Sequence, residues 1–395
     1  MEALTALRVA RWPGGAAAPL NLMVDDLADV WIPAPGCRGR ERDWGNLGRG
    51  PDSAWRFVER TLLEPFPDLR ISLFIPVNRQ PLASPPAGSR FHSIAQRPEM
   101  VEFLRGLEAH PRVECCYHGK DHFRGEGAAR DQEFRTFSSV EEAVAETRRG
   151  LEIWDQVFRR PPVGGKYPGY ASNDHSDAAV AEAGFRWWCR SFNRGVIQSS
   201  HPSTEAMTPA WFVSGRVLDL PSNLAGNVLP PWLRHEWHKW PKRLVQRCRM
   251  KRVAHGQIRQ LVEHGLPLTL QEHIAPSRED GRRQGVNLQD DRSALAWMLR
   301  QACGQPLWHA HPSEIADHWR LRERTRLHFV AGTLRLEMPA VDRLDRLELE
   351  VRNPHLAALR GRDGQVHRVR DTARGRFVAL PLPLSCDTYH LEERV

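Results

Sequence analysis

Two short runs carry the residues best suited to chemistry. The first is Asp25-Asp26, which closes the apolar run Leu20-Asn21-Leu22-Met23-Val24. The second is Tyr117-His118-Gly119-Lys120-Asp121-His122, at the end of the apolar run Val113–Tyr117. Two imidazoles four positions apart share a face on a helical turn and also converge on a tight turn after a strand. Two convergent imidazoles and one carboxylate form a facial set for a divalent cation and leave positions for water and substrate. Where two acids are adjacent, one can bind the cation while its neighbour accepts a proton. Each run alone also has a plainer reading. Asp25-Asp26 fits a helix cap or a solvated pair, and His118 and His122 are two of 18 histidines. What links the runs is position: both close candidate strands, in an order that a β/α fold brings to one face.

The elements that would position them are legible from apolar periodicity. Strands are expected at Leu20–Val24, Ile71–Pro76, Val113–Tyr117, Val163–Tyr167, Phe185–Arg190, Val217–Leu220 and Leu266–Gln271. Helices are expected at Asp52–Leu63, Pro98–Ala109, Ser139–Phe158, Asp174–Ala183 and Lys242–His264. In the third of these, Ser139 is placed to cap, Glu141 and Glu142 sit at the positive end of the dipole, and Val140, Val144, Thr147, Leu151, Trp154 and Phe158 recur at helical steps. Pro161-Pro162 is the expected stop. Alternating strands and helices argue for an α/β protein with a parallel sheet, closed or open, and helices outside it. Segments 31–51, 77–97 and 123–137 read as loops. Beyond about residue 325 short alternating runs separated by Gly, Asp and Asn read as a small antiparallel β domain. The division is therefore drawn at 1–324 and 325–395.

On these residues the chain resembles the polysaccharide deacetylase superfamily, in order through about residues 20–275. Leu20–Asp26 resembles its opening strand and Asp-Asp motif, Ile71–Val77 its second strand, and His118–His122 its His-x-x-x-His motif. Pro161–Tyr170 resembles its Arg-x-Pro segment, Asp177–Trp188 its helix and Ala-Gly-Phe turn, and Leu268–His273 its late strand ending in histidine. The resemblance implies a distorted (β/α) barrel of about seven parallel strands with a small C-terminal antiparallel β domain. It implies a divalent metal on Asp26, His118 and His122, with Asp25 as general base and His273 as general acid. Lys166 stands where the family usually has arginine, and so pairs with Asp25 as a point charge without a bidentate fork. Tyr167, Pro168 and Tyr170 are expected at the substrate, Pro168 as part of the site wall. Zinc is the first expectation for two His and one Asp, and Co, Mn, Ni or Fe also suit such a set. The family's acidic motif after the Gly-Phe turn has no counterpart in Trp187–Asn193.

The activity implied is hydrolysis of an N-acetyl or O-acetyl group on a sugar or glycoconjugate, in surface-polysaccharide biosynthesis. Two other readings remain: hydrolysis of a non-sugar amide or ester, and a non-catalytic carbohydrate-binding barrel. The bulk properties fit a globular, cytoplasmic protein. Residues are 41% hydrophobic, no run of about 18 apolar residues occurs, and the first residues lack an apolar leader. Seven cysteines without a CxxC suggest reduced thiols. The net charge of +8 permits anionic partners. No nucleic-acid-binding module is recognisable, so none is expected. Residues 230–252 interleave Trp232, Trp237 and Trp240 with cations. That stretch reads as a peripheral contact on an acidic membrane, a sugar-stacking platform or a helix with a solvated basic face. The oligomeric state is not legible.

Overall fold

A computed structural model of the chain describes residues 7–31, 54–78, 90–125, 130–192, 204–226, 240–274 and 287–393. The chain forms two compact units. One is Leu20–Gln305 with His309–Pro312, and the other is Met1–Pro19, Pro306–Trp308 and Ser313–Val395. The first strand, β1 (Leu7–Val9), belongs to the second of these.

The larger unit is built on β2 (Ala18–Asp25), β3 (Ile71–Ile75), β4 (Val113–Tyr117), β5 (Gly164–Lys166), β6 (Trp187–Cys189), β7 (Val217–Asp219), β8 (Leu224–Ala225) and β9 (Leu268–His273). Their hydrogen-bonded order is β7-β6-β5-β4-β3-β2-β9-β8, and every pairing is parallel. Ala210–Phe212 adds an antiparallel strand beside β7. The two ends of this order, β7 and β8, are consecutive in sequence and separated only by residues 220–223. A flat sheet cannot bring its opposite edges within so short a link, so the sheet curls round into a distorted barrel. Counting β7 and β8 as one interrupted position gives seven around the barrel, as the resemblance implies.

Helices α1 (Pro98–Glu108), α2 (Val140–Phe158), α3 (Asp174–Glu182), α4 (Trp240–His264) and α5 (Leu288–Cys303) alternate with these strands. Ser139 caps α2, its hydroxyl accepting from the Glu142 backbone N–H at 3.2 Å. The helix ends before the prolines, at Arg159 in the left-handed region. Its buried residues are Ala143, Glu146, Thr147, Gly150, Trp154, Val157 and Phe158. Of the expected stripe Thr147, Trp154 and Phe158 are buried, while Val140, Val144 and Leu151 are only partly so, and the buried face is offset towards Ala143, Gly150 and Val157. Packing explains the offset. A side chain at Gly150 would collide with the Tyr117 hydroxyl, so that face needs small residues. The same logic puts Gly164 and Gly165 in β5, where the Trp187 and Trp188 indoles lie across the strand.

The smaller unit packs β10 (Arg326–Val330), β11 (Thr333–Glu337), β12 (Arg346–Val351), β13 (Leu356–Gly361), β14 (Val366–Arg368), β15 (Gly375–Pro381) and β16 (Thr388–Glu393) around one core. Sheet order is β1-β12-β15, continued by Arg370–Thr372, and β10-β11-β16-β13-β14, all antiparallel. Leu7, Val9, Leu321, Leu334, Leu349 and Tyr389 are among its buried residues. The unit thus takes in residues before 20 and a helix, α6 (Pro312–Arg324), where the sequence division began at 325. The reason is β1, whose three residues pair with β12 some 340 positions later and leave no local signature. Among the described residues no helix is long and apolar enough to cross a membrane. Of the basic stretch 230–252, residues 230–239 lie outside the described residues and the remainder forms the start of α4.

Candidate metal centre

The site lies where the parallel strands end. Asp25 closes β2, His118 follows β4, Lys166 closes β5, and Gln271 and His273 lie on β9. Successive strand residues point to opposite faces. Lys166 therefore faces the carboxylates while Tyr167 turns the other way, into an aromatic cluster with Phe134 and Trp188. Tyr167 is 0% exposed and its hydroxyl donates to Asp177 at 2.7 Å. It is a core residue, which corrects its expected place at the substrate. Pro168 is buried against the His118–His122 turn beside Gly119, and Tyr170 is partly exposed.

Asp26, His118 and His122 form a buried group whose ligand atoms all lie within 4.8 Å of one another. Asp26 Oδ1 is 3.2 Å from His122 Nε2 and 3.5 Å from His118 Nε2. Ligands about 2.1 Å from a tetrahedral ion stand about 3.4 Å apart, so the spacing fits a cation at the centre. The protonation pattern fits as well. His118 Nδ1 faces the Lys166 carbonyl at 3.0 Å. A carbonyl only accepts, so Nδ1 carries the hydrogen and Nε2 presents its lone pair. Asp26 Oδ1 is buried without a hydrogen-bond donor, an arrangement that a bound cation resolves. Burial lowers the His122 pKa against the pull of Asp26, keeping that ring neutral.

The backbone is strained here. Asp26 (φ 74°) and His122 (φ 60°) both occupy the left-handed region without being glycine, at roughly 1–3 kcal/mol each. What holds the His122 turn is Glu133. Its Oε2 accepts from the backbone N–H of Asp121 at 3.0 Å and of His122 at 3.2 Å. Its own N–H donates to the His122 carbonyl at 3.0 Å. The carboxyl also fills the space a side chain at Gly119 would need, and Gly119 has φ 87°. Glu133 is buried, and that burial pushes it up to about 7 against the two N–H donors. Sequence reading placed residue 133 in a polar loop, with no local pattern pointing to this role.

Asp25 sits beside the trio. Lys166 Nζ contacts both its oxygens, at 2.8 and 3.1 Å, and also reaches Gln271 Oε1. Gln271 Nε2 donates to Asp25 Oδ2 at 2.8 Å. Lysine and glutamine together thus supply the two donors that an arginine fork would give alone. Lys166 is fully buried, with its ammonium 4.6 Å from the Phe74 ring centre and 5.1 Å from that of Tyr170. The Tyr170 hydroxyl donates to Gln271 Oε1 at 2.7 Å and contacts Ser222 at 3.1 Å. Burial would raise the Asp25 pKa, but Lys166, His118 and His273 bring it below the usual carboxylate value. His273, its side chain 21% exposed, is level with Asp25 in the β2–β9 register, and its Nε2 is 3.9 Å from Asp25 Oδ2. Gln271 was missed from sequence, although a residue two before His273 must share its face.

Fold and site together define an α/β barrel with a buried Asp-His-His group able to hold a divalent cation, flanked by a second carboxylate and a third imidazole. Neither a family model nor a curated protein matches the sequence. Among solved structures the chain is similar to a protein described as a polysaccharide deacetylase from Mycobacterium smegmatis, with 18% identity over 80% of this chain and 94% of that one and a TM-score of 0.45. It is also similar to the allantoinase PuuE, with 17% identity over 79% and 93% and a TM-score of 0.46. A pseudoenzyme of carbohydrate esterase family 4 from Bacillus anthracis matches with 12% identity over 77% and 70% and a TM-score of 0.37. At these scores and identities the likenesses add nothing to the reading of the site, which rests on its own residues.

Proposed function

We propose that this chain is a divalent-metal-dependent hydrolase of the polysaccharide deacetylase kind, removing an acyl group, foremost N-acetyl, from a sugar or glycoconjugate. One observation carries the reading. A buried Asp26 oxygen without a donor meets two imidazole Nε2 atoms beside a second, ion-paired carboxylate. Asp26, His118 and His122 would hold the ion, and zinc suits that donor set best. When bound, the ion supplies Lewis acidity to an attacking water and to the oxygen of an acyl carbonyl.

The remaining work falls to the protein. Asp25 accepts the proton of the attacking water. Lys166 and Gln271 keep it ionised and fix the direction of its free lone pairs. His273, level with it on the neighbouring strand and open to solvent on one side, delivers a proton to the leaving amine. Tyr170 holds Gln271 through its hydroxyl and, partly exposed, would meet the substrate. The test pairs metal analysis with acetate release from N-acetylated sugars. His118→Ala and His122→Ala lose most of the bound metal. Asp25→Asn keeps the metal and loses about 10²–10⁴-fold in turnover, the usual contribution of a positioned base. Full turnover in Asp25→Asn removes Asp25 from this role.

A further inference from the structure

The smaller unit contains a cleft of about 570 Å³, away from any residue assigned above. It falls within the span of small-molecule sites, roughly 300–1,000 Å³. Its lining joins apolar Leu7 and Val9 to Arg8, Arg11, Arg322 and Thr325. Three guanidinium groups around one cleft repel one another unless neutralised. Arg8 is neutralised by Glu350, in a two-pronged pair at 2.8 and 2.9 Å. Arg11 and Arg322 are not: among the described residues no carboxylate forms an ion pair with either. Arg322 instead lies over an aromatic surface, its guanidinium carbon 3.8 Å from the Trp319 ring centre and 5.6 Å from that of Trp12. Stacking of this kind fixes the plane of the fork and leaves its N–H edge for a partner. Burial lowers the pKa of both arginines; the like charge of Arg8 adds to this at Arg11, while at Arg322 the Glu323 charge opposes it and that of Arg11 adds to it. The Thr325 hydroxyl is buried and has no hydrogen-bond partner.

Two unpaired forks, a pre-set aromatic bed and an orphaned hydroxyl form a recognition surface for an anion with several acceptor oxygens. A carboxylate would satisfy one fork. A phosphate group, doubly charged and with three free oxygens, satisfies both and leaves an acceptor for Thr325. We propose that this cleft binds a phosphate-bearing small molecule, with Arg11 and Arg322 gripping the phosphate and the Thr325 hydroxyl donating a third bond.

The full chain is stripped of metal with EDTA and titrated calorimetrically with inorganic phosphate, pyrophosphate and glucose 1-phosphate, at ionic strength held constant with NaCl. Saturable one-to-one binding is expected for at least one probe. Preference for glucose 1-phosphate identifies a phosphate ester as the ligand, and preference for either inorganic probe identifies the free anion. Arg11→Gln and Arg322→Gln each weaken binding by about tenfold, the loss expected for one charge-assisted contact. Arg8→Gln weakens it less, because Glu350 already neutralises that charge. Arg11 is exposed, so Arg11→Gln decides the matter if Arg322→Gln unfolds. Absence of saturable binding for all three probes, or unchanged affinity in a folded Arg11→Gln, overturns the proposal.

Discussion

Glu133 is the residue on which the metal centre should prove most dependent without touching the metal. Its carboxylate satisfies two buried backbone N–H groups, of Asp121 and His122, within the turn that carries His122 at φ 60°. Glu133→Ala orphans both donors. Each unsatisfied buried donor costs about 1–3 kcal/mol. Water entering the vacated space recovers part of this, so a net loss of about 2–3 kcal/mol is expected. That loss falls on the conformation that presents His122, and metal affinity should drop by about 30- to 150-fold. Glu133→Gln retains a carbonyl acceptor at the same reach and should lie within a few-fold of the parent. The assay is competition for Zn²⁺ against a chromophoric chelator at pH 7.5, with circular dichroism to show that both variants keep the barrel. The Co²⁺ absorption band adds a readout of geometry, because loss of the His122 nitrogen changes the ligand field and simple loosening of the fold does not. Parental Zn²⁺ affinity in a folded Glu133→Ala would refute the claim that this carboxyl holds the turn.

Other outcomes follow from the same structure. Gln271→Leu removes one donor to Asp25 and the acceptor shared by Lys166 and Tyr170. It should lower the turnover of an acetate-release assay by at least tenfold with metal content unchanged, and loss of metal would assign Gln271 to the wrong group. Gly150→Ala should destabilise the barrel by about 1–3 kcal/mol in urea unfolding, despite the better helix propensity of alanine, because its methyl meets the Tyr117 hydroxyl. A neutral or stabilising result would show that the helix has room there. His318 is buried with Nε2 donating to the Ala10 and Arg11 carbonyls, both at 3.1 Å, and burial pushes it down to about 4 from 6.5. The unfolded chain therefore binds a proton that the folded one refuses. Stability of the smaller unit is full above pH 6.5 and falls by about 3 kcal/mol as pH drops towards 4. Urea midpoints across that range should show a shallower slope in His318→Gln than in the parent, and equal slopes would sink the assignment.

The strands of the barrel were legible because each is an apolar run closed by a polar break, and the observed limits differ from the expected ones by a residue or two. Asp25, Asp26, His118 and His122 stood at those breaks, and the structure brings them together. What escaped notice has physical reasons. β8 has only two residues, too few for any period, and β1 is held by a partner far along the chain. β13 buries Leu356, Ala358, Leu359 and Gly361, and its register shifts between Leu356 and Ala358, so simple alternation is lost. Tyr167 was assigned to the substrate through its neighbours in a motif, although strand parity sends it away from Lys166. Glu133 acts through backbone N–H groups on another segment, a contact with no sequence period.

Lys166 and Gln271 complement each other at Asp25. Lysine at 166 brings three rotatable donors but no planar fork, and its one nitrogen is shared between both Asp25 oxygens, a donor short of the two parallel bonds that a fork makes. Gln271 supplies that missing donor from the opposite strand, while its carbonyl accepts from Lys166 and so orients the ammonium. The two side chains act as one device, and their effects on Asp25 should not add. If each single change, Lys166→Met and Gln271→Leu, removes the alignment of Asp25, the double variant should lose little more than the worse single one in acetate release. Simple additivity would mean that lysine and glutamine serve separate ends at Asp25.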